Sequence, residues 1–372
     1  MSGKELANSS RNHGIDALRI LSMLMIVMLH VIGHGGIIKT SESINYWIIL
    51  LFQIAAYCGV NCYALISGYV GVYSNYRISN LASLWCRVAF YTILVTFVFK
   101  MISPDAIDSK TVISAFFPIF SRQYWYFTAY ALMFLFVPIL NEGINRLSKK
   151  KLGIILIAIV IATSIVQPFL NCFYNDVFGL QSGLSTWWLM ILYLIGGYIR
   201  KYGFWQNIKS HRTLFFLFMY LCFVGVTMLS IIIIVFVIRK FFGESINSEI
   251  FLCYNSITIL GAAISLLLAF ENIKLHSTFI RVVAFISPLC FSVYLIHDQK
   301  LIQKYIIGDR FSWVAGLPVY YMIPLMIGIV IGIFLLCILF DLVRFYLFKA
   351  IKIKEKLFQL ETTMKGKIIA KK

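Results

Sequence analysis

An arginine and a histidine stand inside one apolar run near the start of the chain. The run reads Gly14-Ile-Asp-Ala-Leu-Arg-Ile-Leu-Ser-Met-Leu-Met-Ile-Val-Met-Leu-His30, then Val-Ile-Gly-His34. On a helix, the eleven steps from Arg19 to His30 turn roughly 1100°, which is three turns plus about 20°. The two side chains therefore share a face, about 16 Å apart along the axis. Asp16 precedes Arg19 by three positions and is placed to pair with it, while His34 follows His30 by four on the same stripe. An imidazole exchanges protons near neutral pH, so the chemistry on offer is proton transfer to or from a weak nucleophile such as a hydroxyl. Asp16 and Arg19 also fit a plainer role, marking the cytoplasmic end of a span with Arg19 snorkelling to the interface. His30 is flanked by Ile26, Val27 and Leu29 and needs a polar partner or a wet cavity.

Five other places carry polar or aromatic side chains of note. A second apolar run ends Val60-Asn-Cys-Tyr-Ala-Leu-Ile-Ser-Gly-Tyr69, where Ser67 and Gly68 permit close helix approach. Arg77 and Arg87 follow it, suited either to gripping an anionic ligand with phosphates or to anchoring a cytoplasmic loop. A fourth run opens Gln123-Tyr-Trp-Tyr-Phe-Thr-Ala-Tyr130. Trp125 and Tyr126 there read as interfacial belt residues or as a platform for a sugar ring. A ninth run contains Tyr294 and His297 three apart on one face, then Asp298. Asp341 and Arg344, also three apart, read as a structural pair.

The elements that must position these groups are membrane helices. Of the 372 residues, 60% are hydrophobic and 13% charged, and mean hydropathy is +0.87. Soluble domains carry roughly 25% charged residues, so lipid must solvate much of this surface. The expected fold is all-α and polytopic. Ten apolar segments of spanning character run near 15–38, 46–70, 84–102, 124–141, 152–170, 185–200, 213–238, 251–270, 281–303 and 318–346. Pro288 is expected to kink the ninth. Formal net charge is +18, and its distribution reports orientation. With both termini cytoplasmic, 23 of the 33 Lys and Arg fall inside, 9 outside, and Arg19 within the first span. Residues 1–348 then form the membrane domain and 349–372 a basic cytoplasmic tail resting on anionic lipid. No basic stretch outside the spans is interleaved with stacking aromatics, so no nucleic-acid partner is expected. The eight cysteines lie mostly in apolar runs without paired metal-binding spacing, and no metal is expected. No cleavable leader is apparent, so the first span should remain in the protein. No P-loop, GxSxG or HExxH pattern is present.

The run Ile15-Asp16-x-Leu18-Arg19, with ten residues between Arg19 and His30, resembles acyltransferase family 3. So do Ile66-Ser67-Gly68-Tyr69, Trp125-Tyr126 followed by Pro138, and Ser292-Val-Tyr-Leu-Ile-His297, in the same order along the chain. The resemblance implies an O-acyltransferase that takes an acyl group, often acetyl, from acyl-CoA on the cytoplasmic side. It delivers the group to a hydroxyl of a surface polysaccharide or lipid-linked saccharide outside, in a bacterial cell membrane. His30 would then be the catalytic histidine, with Arg19 and Asp16 beside it in the catalytic set. Arg77 and Arg87 would hold the coenzyme A phosphates. His34, Trp125, Tyr126, Tyr294 and His297 would line the substrate site. The sequence departs from the family's Arg-x-x-Arg at the start of the third span, since Leu84 precedes Arg87. A different class, a transporter or flippase for a lipid-linked sugar or small polar solute, would use the same stripe to line a pathway. Oligomeric state is not legible in the apolar surface.

Overall fold

The computed structural model describes residues 11–171, 176–203, 212–242 and 251–369, which are helical with no strand among them. Cys172, Lys209, and the parts of the 171–184, 200–212 and 239–250 connections outside those ranges lie beyond the described residues. The main helices are α1 (His13–Gly33), α2 (Ser43–Tyr57), α3 (Gly59–Gly71), α4 (Ile78–Ile102), α5 (Trp125–Arg146), α6 (Lys149–Val160), α7 (Thr186–Tyr202), α8 (Arg212–Ile233), α9 (Ile257–Glu271), α10 (Ser277–Ile286), α11 (Cys290–His297), α12 (Val319–Ala350) and α13 (Ile353–Ile369).

Among the described residues, seven helices are long and apolar enough to cross a membrane: α1, the joined α2–α3, α4, α5, Arg212–Val237, the joined α10–α11, and α12. The all-α, multi-pass expectation therefore holds. Three of the ten expected segments are shorter or interrupted as helices. The 152–170 segment is broken by a π-helical stretch at Ile161–Val166, α7 has 17 residues, and α9 has 15. Pro288 sits in a 3-10 turn, Ser287–Leu289, that divides α10 from α11, as a proline inside a span should.

The helix carrying the Arg19–His30 stripe is central. Helix α1 packs against α2, α3, α9, α10, α11 and α12. Buried residues make up 56% of its apolar window and 67% of that of α2–α3, against 22% for Arg212–Val237. A polar stripe so placed faces protein and not lipid. Asn12 starts α1, its Oδ1 accepting from the Gly14 and Ile15 amides, which is what an Asn cap does. Its Nδ2 donates to the Glu271 carbonyl at 3.0 Å, tying the start of α1 to the end of α9. At the other end the chain turns through Gly36, whose φ of +84° favours glycine.

The close approach expected at Gly68 is real. A Cβ built on Gly68 would stand 1.9 Å from the Tyr193 carbonyl oxygen, and one on Gly196 would stand 2.1 Å from that of Leu65. Helices α3 and α7 thus meet backbone to backbone.

One placement differs from the sequence reading. Helix α4 begins at Ile78 and not near residue 84, because Arg77 occupies the cap position and Ile78 continues the apolar helix. Arg87 is therefore inside a helix and not in a loop. The tail is largely one helix. Helix α13 lies against α4, where Glu361 accepts from the Ile78 and Ser79 amides at 3.3 and 3.0 Å. It supplies from afar the cap that Arg77 cannot give, since the first amides of a helix have no internal partner. Lys365, then Ser79, hold the Glu361 carboxyl down to about 2.

Candidate active site

The stripe on α1 is built at two levels. At the first, Arg19 Nη1 donates to Asp16 Oδ1 at 3.1 Å and to Ser287 Oγ at 2.9 Å. Ser287 Oγ donates in turn to Asp16 Oδ1 at 3.0 Å, and Arg11 Nε donates to Asp16 Oδ2 at 2.6 Å. Asp16 is buried while 26% of the Arg19 side chain is exposed. A cavity of about 230 Å³ opens on Arg19, lined also by Tyr63, Ser67, Tyr126, Tyr130 and Phe291.

At the second level, α1 meets the end of α11. His30 Nδ1 lies 2.8 Å from His297 Nε2, and His297 Nδ1 lies 2.6 Å from the Val293 carbonyl oxygen. These two contacts assign the protons. A carbonyl only accepts, so His297 Nδ1 carries the hydrogen and, in the neutral ring, Nε2 is the acceptor. His30 Nδ1 must then donate to it. That leaves His30 Nε2 with a free lone pair, the form a general base requires. Asp298 Oδ1 lies 3.5 Å from His30 Nδ1, close enough to stabilise the imidazolium once Nε2 takes a proton. His30 lines a second, smaller cavity of about 30 Å³ with Met23, Ile26, Tyr63, Trp125, Tyr126, Tyr254 and Tyr294. That is room for about two water molecules.

The two cavities share Tyr63, Tyr126 and Phe291, which form a collar between them. The geometric relation of Arg19 to His30 is thus that of two chambers meeting at an aromatic neck.

Most of the sequence-predicted residues gather here. His30 and His297 touch, and their ring centroids are 4.9 Å apart. His34 is exposed, its ring 5.1 Å from that of His30. Tyr294 packs edge-on to His297, with centroids 6.4 Å apart. Trp125 stacks on Tyr254, and Tyr126 on Tyr130. The two arginines assigned to a phosphate grip are not brought together. Ten residues on one helix separate them by about 15 Å of rise. Exposed Arg77 stands over the Phe358 ring of α13, 4.6 Å from its centroid. Arg87 turns to the Pro288 carbonyl at 3.3 Å, near the Arg19 level.

Ser287, Asp298, Tyr63, Tyr254 and Phe291 belong to the site and had no role assigned from sequence. Asp298 adjoins His297 in the chain and was the easiest to find. Tyr63 sits four before Ser67, on the same face of α3, but that spacing does not set it apart from the other apolar residues of the helix. The ligating atoms of His30, His34 and Asp298 also lie within 4.8 Å of one another, a donor set that suits a borderline divalent ion.

A family model described as an acyltransferase domain matches residues 12–342. No curated protein and no solved structure matches the chain.

Proposed function

The chain belongs to acyltransferase family 3, and on that premise we propose that this membrane acyltransferase moves an acetyl group from acetyl-CoA to a hydroxyl of a surface polysaccharide or lipid-linked saccharide. In this reading the Arg19 level faces the cytoplasm and the His30 level the outer side of a bacterial plasma membrane, the orientation favoured by the Lys and Arg distribution.

The observation that carries the reading is the lone pair left on His30 Nε2 by the His30–His297–Val293 chain, beside a cavity that adjoins the Arg19 chamber. The acceptor hydroxyl gives its proton to Nε2, and its oxygen attacks the thioester carbonyl carbon. The carbon–sulfur bond then breaks, and the imidazolium returns the proton to the departing thiolate. His297 fixes the His30 tautomer, and Asp298 offsets the transient positive charge. Arg19 and Arg87 supply positive charge on the donor side. Exposed Arg77 stands farther along α4, where it would meet the outlying phosphate of a molecule as long as coenzyme A.

Purified protein in liposomes, given radiolabelled acetyl-CoA and a saccharide acceptor, should form a labelled ester, and His30→Ala should form none while remaining folded. NMR of the surface glycan from wild-type and His30→Ala cells identifies the acetylated hydroxyl. Movement of a sugar across the liposome with no acyl donor present, and no ester formed, would overturn the reading in favour of a transporter.

A further inference from the structure

We propose that the phenolic hydroxyls of Tyr63 and Tyr126 form the oxyanion hole of this site, donating hydrogen bonds to the carbonyl oxygen of the transferred acyl group. The inference rests on the acyltransferase reading above and goes beyond it in assigning the residues that stabilise the tetrahedral intermediate.

Tyrosine hydroxyls in this protein are otherwise well used. Tyr124 donates to the Leu295 carbonyl, Tyr91 to Asp341, Tyr69 to Glu271, Tyr193 to Asn141 and Tyr220 to the Ala55 carbonyl. Among the described residues, three buried tyrosine hydroxyls have no hydrogen-bond partner in bonding geometry, Tyr63, Tyr126 and Tyr294, and of the three Tyr294 alone faces a carboxylate, that of Asp298. All three line the His30 cavity. A buried polar group without a partner costs free energy and is uncommon, so three around one small chamber call for an occupant that accepts hydrogen bonds.

Position selects two of the three. Only Tyr63 and Tyr126 line both the His30 cavity and the Arg19 chamber, with Phe291 as the third member of the collar. They come from different helices, α3 and α5, and their rings meet edge to face with centroids 6.4 Å apart. Tyr63 is 9% exposed and Tyr126 8%. An acyl carbonyl handed from the Arg19 side to the His30 side must pass between them. Each hydroxyl is a neutral donor fixed in a water-poor neck, where an oxyanion gains most from a preset donor.

The step balances without a further reactant. His30 Nε2 takes the acceptor's hydroxyl proton, and the new carbon–oxygen bond pushes the carbonyl electron pair onto oxygen. The two phenols hold that oxyanion without giving up their protons. Collapse restores the carbonyl and expels the thiolate, which takes the proton from His30. The products are an ester and a free thiol.

The test compares Tyr63→Phe, Tyr126→Phe and the double variant in liposomes with acetyl-CoA as donor. Loss of one such donor typically lowers kcat about 10²–10³-fold. We expect that fall in each single variant, a KM for acetyl-CoA within about twofold of wild type, and a Tm equal to or above wild type. The Tm expectation separates this role from a structural one, because removing an unpartnered buried hydroxyl relieves the fold whereas removing a structural bond weakens it. Full kcat in the double variant, or a fall in activity matched by a fall in Tm, overturns the assignment. If wild-type protein transfers no acetyl group, the acyltransferase reading itself fails. If wild type is active and the double variant equally so, only the tyrosine assignment fails.

Discussion

Among the described residues, two aspartate–arginine pairs stand at the same i, i+3 spacing inside apolar helices, and they are used in opposite ways. Asp341 and Arg344 on α12 are sealed, with side chains 0% and 4% exposed. Arg344 grips both carboxylate oxygens, at 2.8 and 2.6 Å, and Tyr91 closes the set at 2.5 Å. Asp16 and Arg19 on α1 are also paired, but Arg19 presents a quarter of its side chain to a chamber of about 230 Å³. Identical spacing therefore says little about role. What distinguishes the pairs is whether space has been left for something else to bind.

The sharpest way to break this contrast is to cut each cluster. Asp341→Ala should cost about 3–5 kcal/mol of stability by leaving Arg344 buried and unpaired. It should appear as lost folded protein in a thermal melt of the detergent-solubilised chain. His30→Ala, in the open stripe, should cost far less stability than Asp341→Ala while lowering turnover by at least about 10²–10⁴-fold, the usual worth of a general base. If both variants lose stability alike, the division into sealed and open clusters is wrong. Arg19→Gln should be milder, raising KM for the acyl donor about tenfold, or roughly 1.4 kcal/mol of lost binding, with a small effect on the melt.

The metal question sharpens the open end further. His30, His34 and Asp298 can converge on a cation, yet the proposed base needs its lone pair free. Micromolar Zn²⁺ should therefore inhibit, and a chelator should restore full activity. Activity that a chelator abolishes would turn the cluster into a metal centre. The smallest effect concerns the tail. Lys365 and Ser79 hold the Glu361 carboxyl below the usual carboxylate range, so its contribution is full above that range and is lost as pH falls towards about 2. Glu361→Gln should loosen α13 at neutral pH, read as faster proteolysis after residue 352 with turnover retained.

Much of this was visible in the sequence where the argument is local. Helical spacing put Arg19 and His30 on one face, paired Asp16 with Arg19, and joined Asp341 to Arg344. Hydropathy gave the all-α, multi-pass plan, and a glycine gave the α3–α7 contact. What stayed hidden depends on long-range packing. The partner of His30 lies 267 residues away, and no spacing rule reports it. Tyr63 reads as one more aromatic in an apolar helix until its hydroxyl is seen to lack a partner. The tail reads as a basic segment resting on lipid, and no local rule reports that its Glu361 caps a helix that begins some 280 residues earlier.

The aromatic collar has one more consequence. Two wetted chambers that approach each other across a membrane form a weak point in an electrical insulator. Each elementary charge that leaks down a 100 mV potential dissipates about 2.3 kcal/mol. Tyr63, Tyr126 and Phe291 stand between the chambers, and two phenol oxygens and three rings are too few ligands to replace the hydration shell of an ion. A neck of that kind passes a small neutral group and resists a hydrated ion, so the resting protein should be electrically silent. Phe291→Ala, which removes one ring of the collar and widens the neck, should turn a transferase into a leak, readable as dissipation of an imposed potential in liposomes.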